Sequence, residues 1–421
     1  MRIAIVGTGI SALTSAHHLY KDHEIDLFEA TDWVGGHTHT VDVEQHGLTY
    51  AVDTGFIVFN EHTYPNYLNL LQDLDVAYQP SCMSFSVKCE KTRLEYNGTS
   101  LDTLFAQRRN ALNPKFLRML WDIYRFYQNA EGLLIQGDTR TLGDFLKDER
   151  YSKTFIDQHI VPMAAAVWSA PPSQMMDFPL RYLLRFFHNH GFTKVNDRPQ
   201  WFVVKGGSRE YVKKLSEPFR DCIHLKSPVE SIRRFDDRVE LTVNGQCRTF
   251  DQVVIACHSD TALKLLADPS RAETEVLGAI PYQRNDVVLH TDASLMPRTR
   301  RAWASWNYRL PKEGQGDATV TYWMNRLQNL PEEAPEFFVS LNQNDAIAPE
   351  HVLRSFVYDH PVYTDATLAA QARHHEISGL NRTHYCGAYW FYGFHEDGVK
   401  SGLRVADAFN KAKDNARERA A

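Results

Sequence analysis

A glycine-rich turn near the start of the chain has the residue types and spacing of a dinucleotide site. Gly7, Gly9 and Ala12 form a GxGxxA pattern, and Glu29 follows 22 residues after Gly7 (29 − 7 = 22). Gly7 permits a tight turn, Gly9 lets the backbone approach a pyrophosphate, and Ala12 lets a helix pack closely on a strand. A carboxylate at the position of Glu29 accepts hydrogen bonds from ribose hydroxyls and repels a 2′-phosphate. The pattern therefore predicts an adenine dinucleotide site.

The segments around this turn have the composition that such a site needs. Residues 3–6 are an apolar, β-branched run typical of a buried parallel strand, and residues 12–20 have helical composition. A second strand, residues 25–28, ends at the acid. The helix N-terminus then offers free N–H groups and its positive dipole end to phosphates, so Ile10 and Ser11 are cofactor-binding candidates. The alternative is a glycine-rich turn in an ordinary α/β unit.

Charge, cysteine content and hydropathy exclude several other classes of protein. The chain has 421 residues, and 46 basic against 52 acidic side chains give a net charge of −6 (46 − 52). Nucleic-acid-binding proteins usually carry a basic excess, so nucleic acid is not an expected partner. The six cysteines form no CxxC pair and the histidines no HExxH spacing, so no metal site is predicted. We see no secretory signal and no membrane-spanning apolar run, and a cytoplasmic location is expected.

Further glycine motifs follow in the order of a known family. Gly35 and Gly36 come shortly after the acid, a DTGF segment covers residues 53–56, and a GFHEDG segment covers residues 393–398. Together these segments resemble the flavin-containing amine oxidoreductase superfamily, whose FAD-binding fold is that of glutathione reductase. FAD is therefore the implied cofactor. Beyond the first turn, the resemblance adds these cofactor-binding candidates: Gly35, Gly36, His37, Thr38, Thr54, Gly55, Phe56, Val229, Ala256, Gly387, Glu396, Asp397, Gly398 and Val399.

The same resemblance implies an α/β fold in which two domains are interleaved along the chain. A Rossmann-like FAD-binding domain is expected from residues 1–56, 201–275 and 376–421. An α+β substrate domain of the amine-oxidase type is expected from residues 57–200 and 276–375. The first of these two insertions is mainly helical in pattern and the second contains strand-like runs. A helical cap above a sheet floor is the expected substrate domain.

Flavin chemistry makes few demands on side chains. A C–H bond must point at flavin N5, water must be excluded, and a base is needed only where the proton is not already acidic. His395 is the candidate base because it lies near the expected flavin edge. Gly398 and Gly402 are expected to open a helix whose dipole stabilises a reduced flavin. The expected walls of the substrate pocket are Trp168, His290, Tyr322, Trp323 and Phe394.

Three segments narrow the resemblance to a bacterial subgroup of predicted NAD/FAD-binding proteins. They are residues 162–169, 188–192 and 198–212. Genes of this subgroup often lie beside cyclopropane-fatty-acid-synthase-like methyltransferases. The resemblance thus implies hydride transfer from a fatty-acyl or phospholipid chain to flavin N5, which is desaturation, and a lipid methyltransferase as partner. Many amine oxidases hold a water beside the flavin with a lysine, and by approximate alignment Asn285 stands there instead, which weakens an amine substrate.

Other interpretations stay open. The chain could be an FAD-dependent isomerase that moves a double bond, an amine oxidase, an NAD-dependent dehydrogenase, or a non-catalytic FAD- or lipid-binding partner of a lipid methyltransferase. The aromatic and basic stretch at residues 178–191 has two interpretations. One is the mouth of an apolar substrate tunnel that rests on the inner, anionic membrane face. The other is domain core with two snorkelling arginines.

Overall fold

The strands fall into two large sheets and three small ones. The computed structural model describes residues 1–136, 138–192, 199–312 and 316–420. In chain order, the strands within these ranges are β1 (Arg2–Val6), β2 (Glu24–Phe28), β3 (Thr40–Gln45), β4 (Leu48–Asp53), β5 (Val58–Asn60), β6 (Tyr78–Ser81), β7 (Phe85–Cys89), β8 (Leu94–Asn97), β9 (Trp201–Val204), β10 (Ile223–His224), β11 (Val229–Arg234), β12 (Val239–Val243), β13 (Gln246–Phe250), β14 (Gln252–Ile255), β15 (Tyr282–His290), β16 (Trp306–Leu310), β17 (Val320–Trp323), β18 (Phe338–Leu341), β19 (Val352–Pro361) and β20 (Thr383–Tyr385).

The helices are concentrated between β8 and β9 and at the end of the described chain. A π-helical turn, Ile156–Ile160, joins α6 to α7 in one continuous rod. The α-helices are α1 (Ile10–Leu19), α2 (Pro65–Asp73), α3 (Leu101–Leu104), α4 (Pro114–Gln136), α5 (Leu142–Asp148), α6 (Lys153–Phe155), α7 (Val161–Trp168), α8 (Pro172–Met176), α9 (Leu180–Asn189), α10 (Arg209–Ser216), α11 (Ser259–Leu265), α12 (Arg271–Gly278), α13 (Met324–Leu327), α14 (Asp365–Ala372) and α15 (His395–Ala420).

A parallel sheet brings the nucleotide-binding motifs to one edge. Its strand order is β10-β2-β1-β14-β20, and every neighbouring pair is parallel. The apolar residues of β1 are fully buried because α1 and α15 pack near the sheet on one face and β11 to β13 on the other. Carboxyl ends of parallel strands meet at one edge, where the residues that follow are Gly7, Glu29, Ala256 and Cys386.

A mixed sheet forms the floor of the second large unit. Its strand order is β19-β15-β18-β17-β16-β7-β8, and all pairs are antiparallel except β16 with β7. Helices α4, α5, α7 and α9 cover it, and their apolar side chains share its largest core. The strands come from both insertions, residues 85–97 and 282–361. The α/β class and the sheet floor under a helical cap are confirmed, while the exact domain limits stay predictions.

Strand β9 connects the helical insertion back to the nucleotide-binding part. It pairs antiparallel with β5 on one side and with β6 on the other. Residue 198, which starts the third family-like segment, lies outside the described residues. The turn after β9 positions Ser208 against Asp53, whose carboxylate accepts hydrogen bonds from the Ser208 N–H (2.9 Å) and hydroxyl (3.1 Å). This contact fixes the glycine turn Gly206-Gly207 beside the hairpin β3–β4.

Candidate functional site

The two glycine loops of the first nucleotide-binding unit touch each other. Gly7 has a φ of +101°, and a Cβ there would lie 3.3 Å from the Ala256 carbonyl oxygen. A Cβ on Gly36 would lie 3.1 Å from Gly9 Cα, and the Gly35 N–H donates to Thr8 Oγ1 over 3.3 Å. Gly9 itself faces open space, with nothing within 4 Å of a Cβ built on it.

This cradle fits an anionic cofactor group. Helix α1 begins after Gly9 without any side chain capping its free N–H groups. Its first turn consists of Ile10, Ser11 and Ala12, all of them buried. Free amides at a helix N-terminus beside an open glycine are the donors that a pyrophosphate takes. The structure thus brings the first-turn candidates together around one opening.

Glu29 is held by two threonines. One of its oxygens accepts from the Thr8 N–H (3.1 Å) and hydroxyl (2.6 Å), and the other from the Thr31 N–H (2.9 Å) and hydroxyl (3.0 Å). The Glu29 carbonyl accepts from the Ser227 N–H over 2.8 Å. This hydrogen bond holds the segment that leads into Val229 beside Glu29. The Thr31 hydroxyl also lies 3.0 Å from the Trp33 carbonyl oxygen and can donate to only one of the two acceptors. Glu29 can therefore accept from a ribose hydroxyl when the Thr31 hydroxyl turns to Trp33.

His37 carries a buried ring nitrogen without a partner among the described residues. That atom is Nε2. Burial, and secondarily the neighbouring His258, lowers the pKa of His37 to about 4. Its ring centroid lies 5.3 Å from that of Tyr358 and 5.5 Å from that of His360. An unsatisfied buried polar atom in the second glycine motif indicates a missing hydrogen-bonding group, which FAD would supply.

The hairpin turn at residues 53–56 lies directly on the second glycine motif. The Phe56 N–H donates to the His37 carbonyl over 2.8 Å, and a Cβ on Gly55 would overlap that same oxygen. Thr54 Oγ1 contacts the Tyr358 hydroxyl over 2.8 Å. Thr38 Oγ1 lies 2.6 Å from the Tyr211 hydroxyl. The structure therefore brings these FAD candidates into one cluster with the floor sheet.

His395 is the first residue of α15 and is fixed on three sides. Its ring stacks on Phe56 with a centroid distance of 3.6 Å and an interplanar angle of 8°. The Tyr67 ring meets it edge-on at 5.0 Å, and a 2.7 Å hydrogen bond joins His395 Nε2 to the Tyr211 hydroxyl. Burial holds the pKa of His395 well below its usual range, so the ring is neutral at pH 7. With Nε2 occupied, its assignment as a base stays a prediction.

The other residues of the GFHEDG segment hold helices in place. Both Glu396 oxygens accept from the start of α2, one from the Tyr67 N–H (2.9 Å) and the other from Asn66 Nδ2 (2.6 Å). Asp397 accepts from the Phe394 N–H over 3.0 Å, and burial raises the pKa of its carboxyl to about 7. Val399 belongs to the core beneath α15. Glu396 is thus a helix cap in this structure, which the sequence did not show.

Helix α15 begins earlier than expected. Gly398 and Gly402 do not open it; they lie inside it, one and two turns after its start at His395. A Cβ on Gly398 would lie 2.5 Å from Ile10 Cγ2, and one on Gly402 would lie 2.6 Å from the Ser11 carbonyl oxygen. The expectation is corrected accordingly: these glycines let α15 cross α1 at close range. Gly387 is tied to the same helix because its N–H donates to Ser401 Oγ over 3.0 Å.

An aromatic wall joins two of the predicted pocket residues. Trp168 and Phe394 both pack on Phe186, at centroid distances of 4.9 Å and 4.7 Å. Tyr182 extends the wall to Tyr363 and Tyr392. Tyr182 and Phe186 belong to the aromatic stretch 178–191, for which the sequence left a tunnel mouth and domain core as alternatives, but neither was among the predicted pocket walls. Their spacing of four residues puts them on one face of α9. A cavity of about 290 Å³ adjoins the wall, between Phe394, Tyr392, His190, Asp397 and Lys400.

The other three predicted wall residues lie elsewhere on the floor sheet. Tyr322 packs edge-on against Trp306 at 4.9 Å within the main core. Trp323 packs on Trp303 in a separate small cluster, and His290 Nε2 lies 2.8 Å from Ser340 Oγ near that cluster. His290 is five residues beyond Asn285 on β15, which corresponds to about 17 Å. The structure does not bring Trp323 and His290 to the aromatic wall.

Asn285 occupies a buried position in the floor sheet near His37. Its amide donates to His360 Nδ1 over 3.0 Å and accepts from Asn342 over 2.8 Å. Burial lowers the pKa of His360 to about 3, so both neighbours of this amide are neutral. Within the described part of the chain, no three potential ligands are arranged to hold a metal ion.

Comparison with known proteins identifies the family. The profile of the flavin containing amine oxidoreductases matches residues 10–410. The chain therefore belongs to this family, its cofactor is FAD, and it is an FAD-dependent oxidoreductase. In the ranges that the structure covers, no helix combines the length and apolar character needed to cross a membrane.

Several solved structures share the fold at low sequence identity. Cyclohexylamine oxidase from Brevibacterium oxydans IH-35A has a TM-score of 0.70 and 15% identity, covering 98% of this chain and 99% of its own. Putrescine oxidase bound to putrescine has a TM-score of 0.68 and 13% identity, with 98% and 99% coverage. A CLA-producing fatty acid isomerase from P. acnes has a TM-score of 0.62 and 15% identity, with 97% and 98% coverage.

Proposed function

We propose that this oxidoreductase takes a hydride from a fatty-acyl or phospholipid chain, so that the chain is desaturated. The observation that carries the proposal is the aromatic wall from Trp168 through Phe186 to Phe394. At the cavity end of the wall Tyr392 and Phe394 are only half-buried, so a hydrocarbon chain bound there would take their remaining apolar surface, and its own, out of water. Two carboxyl groups, Asp397 and Glu396, line the cavity beside it. Burial raises the pKa of Asp397 to about 7, and both Glu396 oxygens already accept hydrogen bonds from the start of α2, so neither is a ready counter-ion for an amine.

Two unsatisfied donors at the wall favour a substrate that carries an acceptor oxygen. Trp168 Nε1 and the Tyr363 hydroxyl are buried and have no partner among the described residues. An indole N–H can only donate, so it suits an acyl carbonyl or carboxylate. A protonated amine carries only donors and gains nothing from this N–H. We therefore place the polar end of the acyl chain near these two groups.

The residues of the chain have to orient the substrate and exclude water. FAD, when bound, supplies the hydride acceptor. The stacked rings of Phe56 and His395 shield the site from water on the side of the nucleotide-binding part. The aromatic wall shields it on the side of the helical cap. Tyr211 links His395 Nε2 to Thr38 Oγ1 through hydrogen bonds of 2.7 Å and 2.6 Å. These three groups offer a path by which a substrate proton could leave.

A fatty-acid double-bond isomerase is the second candidate. The isomerase from P. acnes shares the fold over 98% of its own length, and its name places a fatty acid at the site of that enzyme. Desaturation and isomerisation both begin with a hydride leaving the chain. They differ in whether the hydride returns to the chain. The mass of the product and the need for an electron acceptor therefore distinguish the two reactions.

The test is an anaerobic titration of the purified holoprotein with phospholipids that carry unsaturated or methylated chains. Desaturation predicts bleaching of the visible flavin absorption and a product lighter by one H2. A shifted double bond at constant mass, without net bleaching, would favour the isomerase. Peroxide released with putrescine or cyclohexylamine, and no response to any lipid, would contradict both lipid functions.

A further inference from the structure

A basic cavity opens on the surface beside the start of α4. It has a volume of about 280 Å³, and Arg93, Arg109 and Lys115 line it together with neutral polar side chains. No carboxylate lines it among the described residues. In the same ranges none of the three cations forms an ion pair, whereas Arg108 next to them pairs with Asp102. Three unpaired cations around one cavity indicate a site for an anion.

The Arg109 side chain is held in a fixed position at this cavity. Its guanidinium donates to the Arg93 carbonyl over 2.9 Å. The amide of Gln107 donates to the same carbonyl over 3.1 Å. The loop that carries the cations is therefore anchored before any ligand arrives. A guanidinium with further free N–H groups matches the geometry of a phosphate.

An exposed apolar strip adjoins the basic cavity. We define it as Leu112, Leu117, Trp121 and Tyr124, whose exposed fractions are 89%, 44%, 56% and 52%. The last three are spaced i, i+4, i+7 along α4 and so share one face of the helix. Leu112 also lines the basic cavity, which makes the two features continuous. Large apolar side chains grouped in water in this way mark an interaction surface.

We propose that the basic cavity and the apolar strip together bind the surface of an anionic phospholipid bilayer, with a lipid phosphate in the cavity. Charge complementarity supports this occupant, because unpaired Lys and Arg side chains are attracted to anionic lipids. The composition of the strip supports it too, since Trp and Tyr prefer the level of the lipid headgroups. No residue of this surface belongs to the candidate flavin or substrate site, so the proposal does not depend on which substrate is oxidised.

The test is flotation of the full-length holoprotein with vesicles of phosphatidylcholine alone or mixed with phosphatidylglycerol. We expect binding to the mixed vesicles only, weakened by added salt. The double variant Arg109→Gln/Lys115→Gln should bind them about 30-fold more weakly. Leu117→Ser/Trp121→Ser should also lose binding. The matched control is Arg284→Gln/Lys264→Gln, which removes two exposed positive charges elsewhere and should bind like the unaltered chain.

A fluorescence measurement tests the same proposal with a conservative substitution that is not expected to impair folding. Lipids brominated in the acyl chain should quench more signal in the unaltered chain than in Trp121→Phe, and the difference reports Trp121 in the bilayer. Equal binding to neutral vesicles, or equal loss in the control variant, would overturn the proposal. Self-association that Trp121→Ser abolishes, without vesicle binding, would also overturn it and assign the strip to a protein contact.

Discussion

The side chains of the candidate site make their main contacts with residues that are distant in the sequence. His395 stacks on Phe56 and bonds to Tyr211, which is 184 residues earlier. Glu396 caps α2 through the Tyr67 N–H, 329 residues away. The sequence predicts that both residues lie near the flavin, and this stays a prediction. It could not show which groups would already occupy their polar atoms, because such contacts depend on how distant segments pack.

The indole N–H of Trp168 gives a prediction at this scale. Trp168→Phe keeps an aromatic ring in the wall and removes the unpartnered donor together with the five-membered ring of the indole, a loss of volume that the control variant below shares. If the substrate oxygen accepts from this N–H, its loss costs about 1 kcal/mol, or roughly fivefold in affinity for the lipid. A flavin-monitored lipid titration measures it. Trp390→Phe is the matched control, since that indole N–H is also buried without a partner but lies in another core. Equal effects in both variants would contradict the assignment.

The Asp397 carboxyl predicts how stability depends on pH. Its pKa is raised by burial to about 7, above the value of an unfolded aspartate. The folded state therefore binds the extra proton, and the free energy of unfolding falls as pH rises from about 4 to about 7. Asp397→Asn keeps an acceptor for the Phe394 N–H and has no charge to bury. Denaturant unfolding should show equal stability near pH 4 and a gain of up to about 4 kcal/mol for the variant near pH 8. A pH-independent difference would contradict this.

At the scale of elements, local signals predicted the turns well and the helix boundaries less well. The GxGxxA turn follows from short-range geometry. An Asn-Gly pair at residues 244–245, after the alternating run 239–243, likewise predicts a tight hairpin turn, and Asn244 and Gly245 between β12 and β13 have the φ values of +49° and +72° that such a turn needs. The glycines of α15 suggest that the helix opens at Gly398, but it begins at His395. Their actual role depends on contact with α1, which no local pattern encodes.

The crossing of α15 over α1 gives a prediction for glycine variants. Gly402→Ala puts a Cβ 2.6 Å from the Ser11 carbonyl oxygen, so backbone must move, and we expect a loss of about 1–3 kcal/mol and weaker FAD binding. Gly132→Ala in α4 meets nothing within 4 Å and should stabilise the protein by about 1 kcal/mol. Urea unfolding and FAD titration of both variants measure the effects. Similar stability changes in the two variants would contradict the packing argument.

For the whole molecule, the sequence predicts the α/β class and the helical cap above a sheet from the order of the family's motifs along the chain rather than from composition. It did not distinguish which aromatic residues form the wall. Trp323 is of the same residue type as Trp168 in the wall, yet the register of β17 places it against Trp303, and the register of β15 places His290 against Phe338. Register between strands distant in sequence is a property of the assembled sheet. Strand register of this kind therefore cannot be predicted from the sequence alone.

Because one site draws on separated segments, cofactor binding should stabilise the entire fold. FAD at a hundredfold excess over its Kd should add about 2.7 kcal/mol to the free energy of unfolding. Residues 8, 37, 211 and 395 lie at this site although they belong to four separate segments of the chain. We therefore expect a single unfolding transition, and FAD should raise its midpoint temperature. Calorimetry with and without FAD measures it. Two transitions, of which FAD shifts only one, would contradict this coupling.

The packing of α15 on α1 also has a consequence for biosynthesis. Ser15 Oγ lies 3.3 Å from the Gly402 carbonyl oxygen, a contact between residues 387 positions apart. Strand β20, the edge of the parallel sheet, likewise comes late in synthesis. Contacts of such sequence separation form slowly, and partly made sheets expose strand edges that aggregate. A ribosome-bound chain that ends before His395 should therefore hold no FAD and should depend on chaperones, and the cofactor can be loaded only after residues near 402 have emerged.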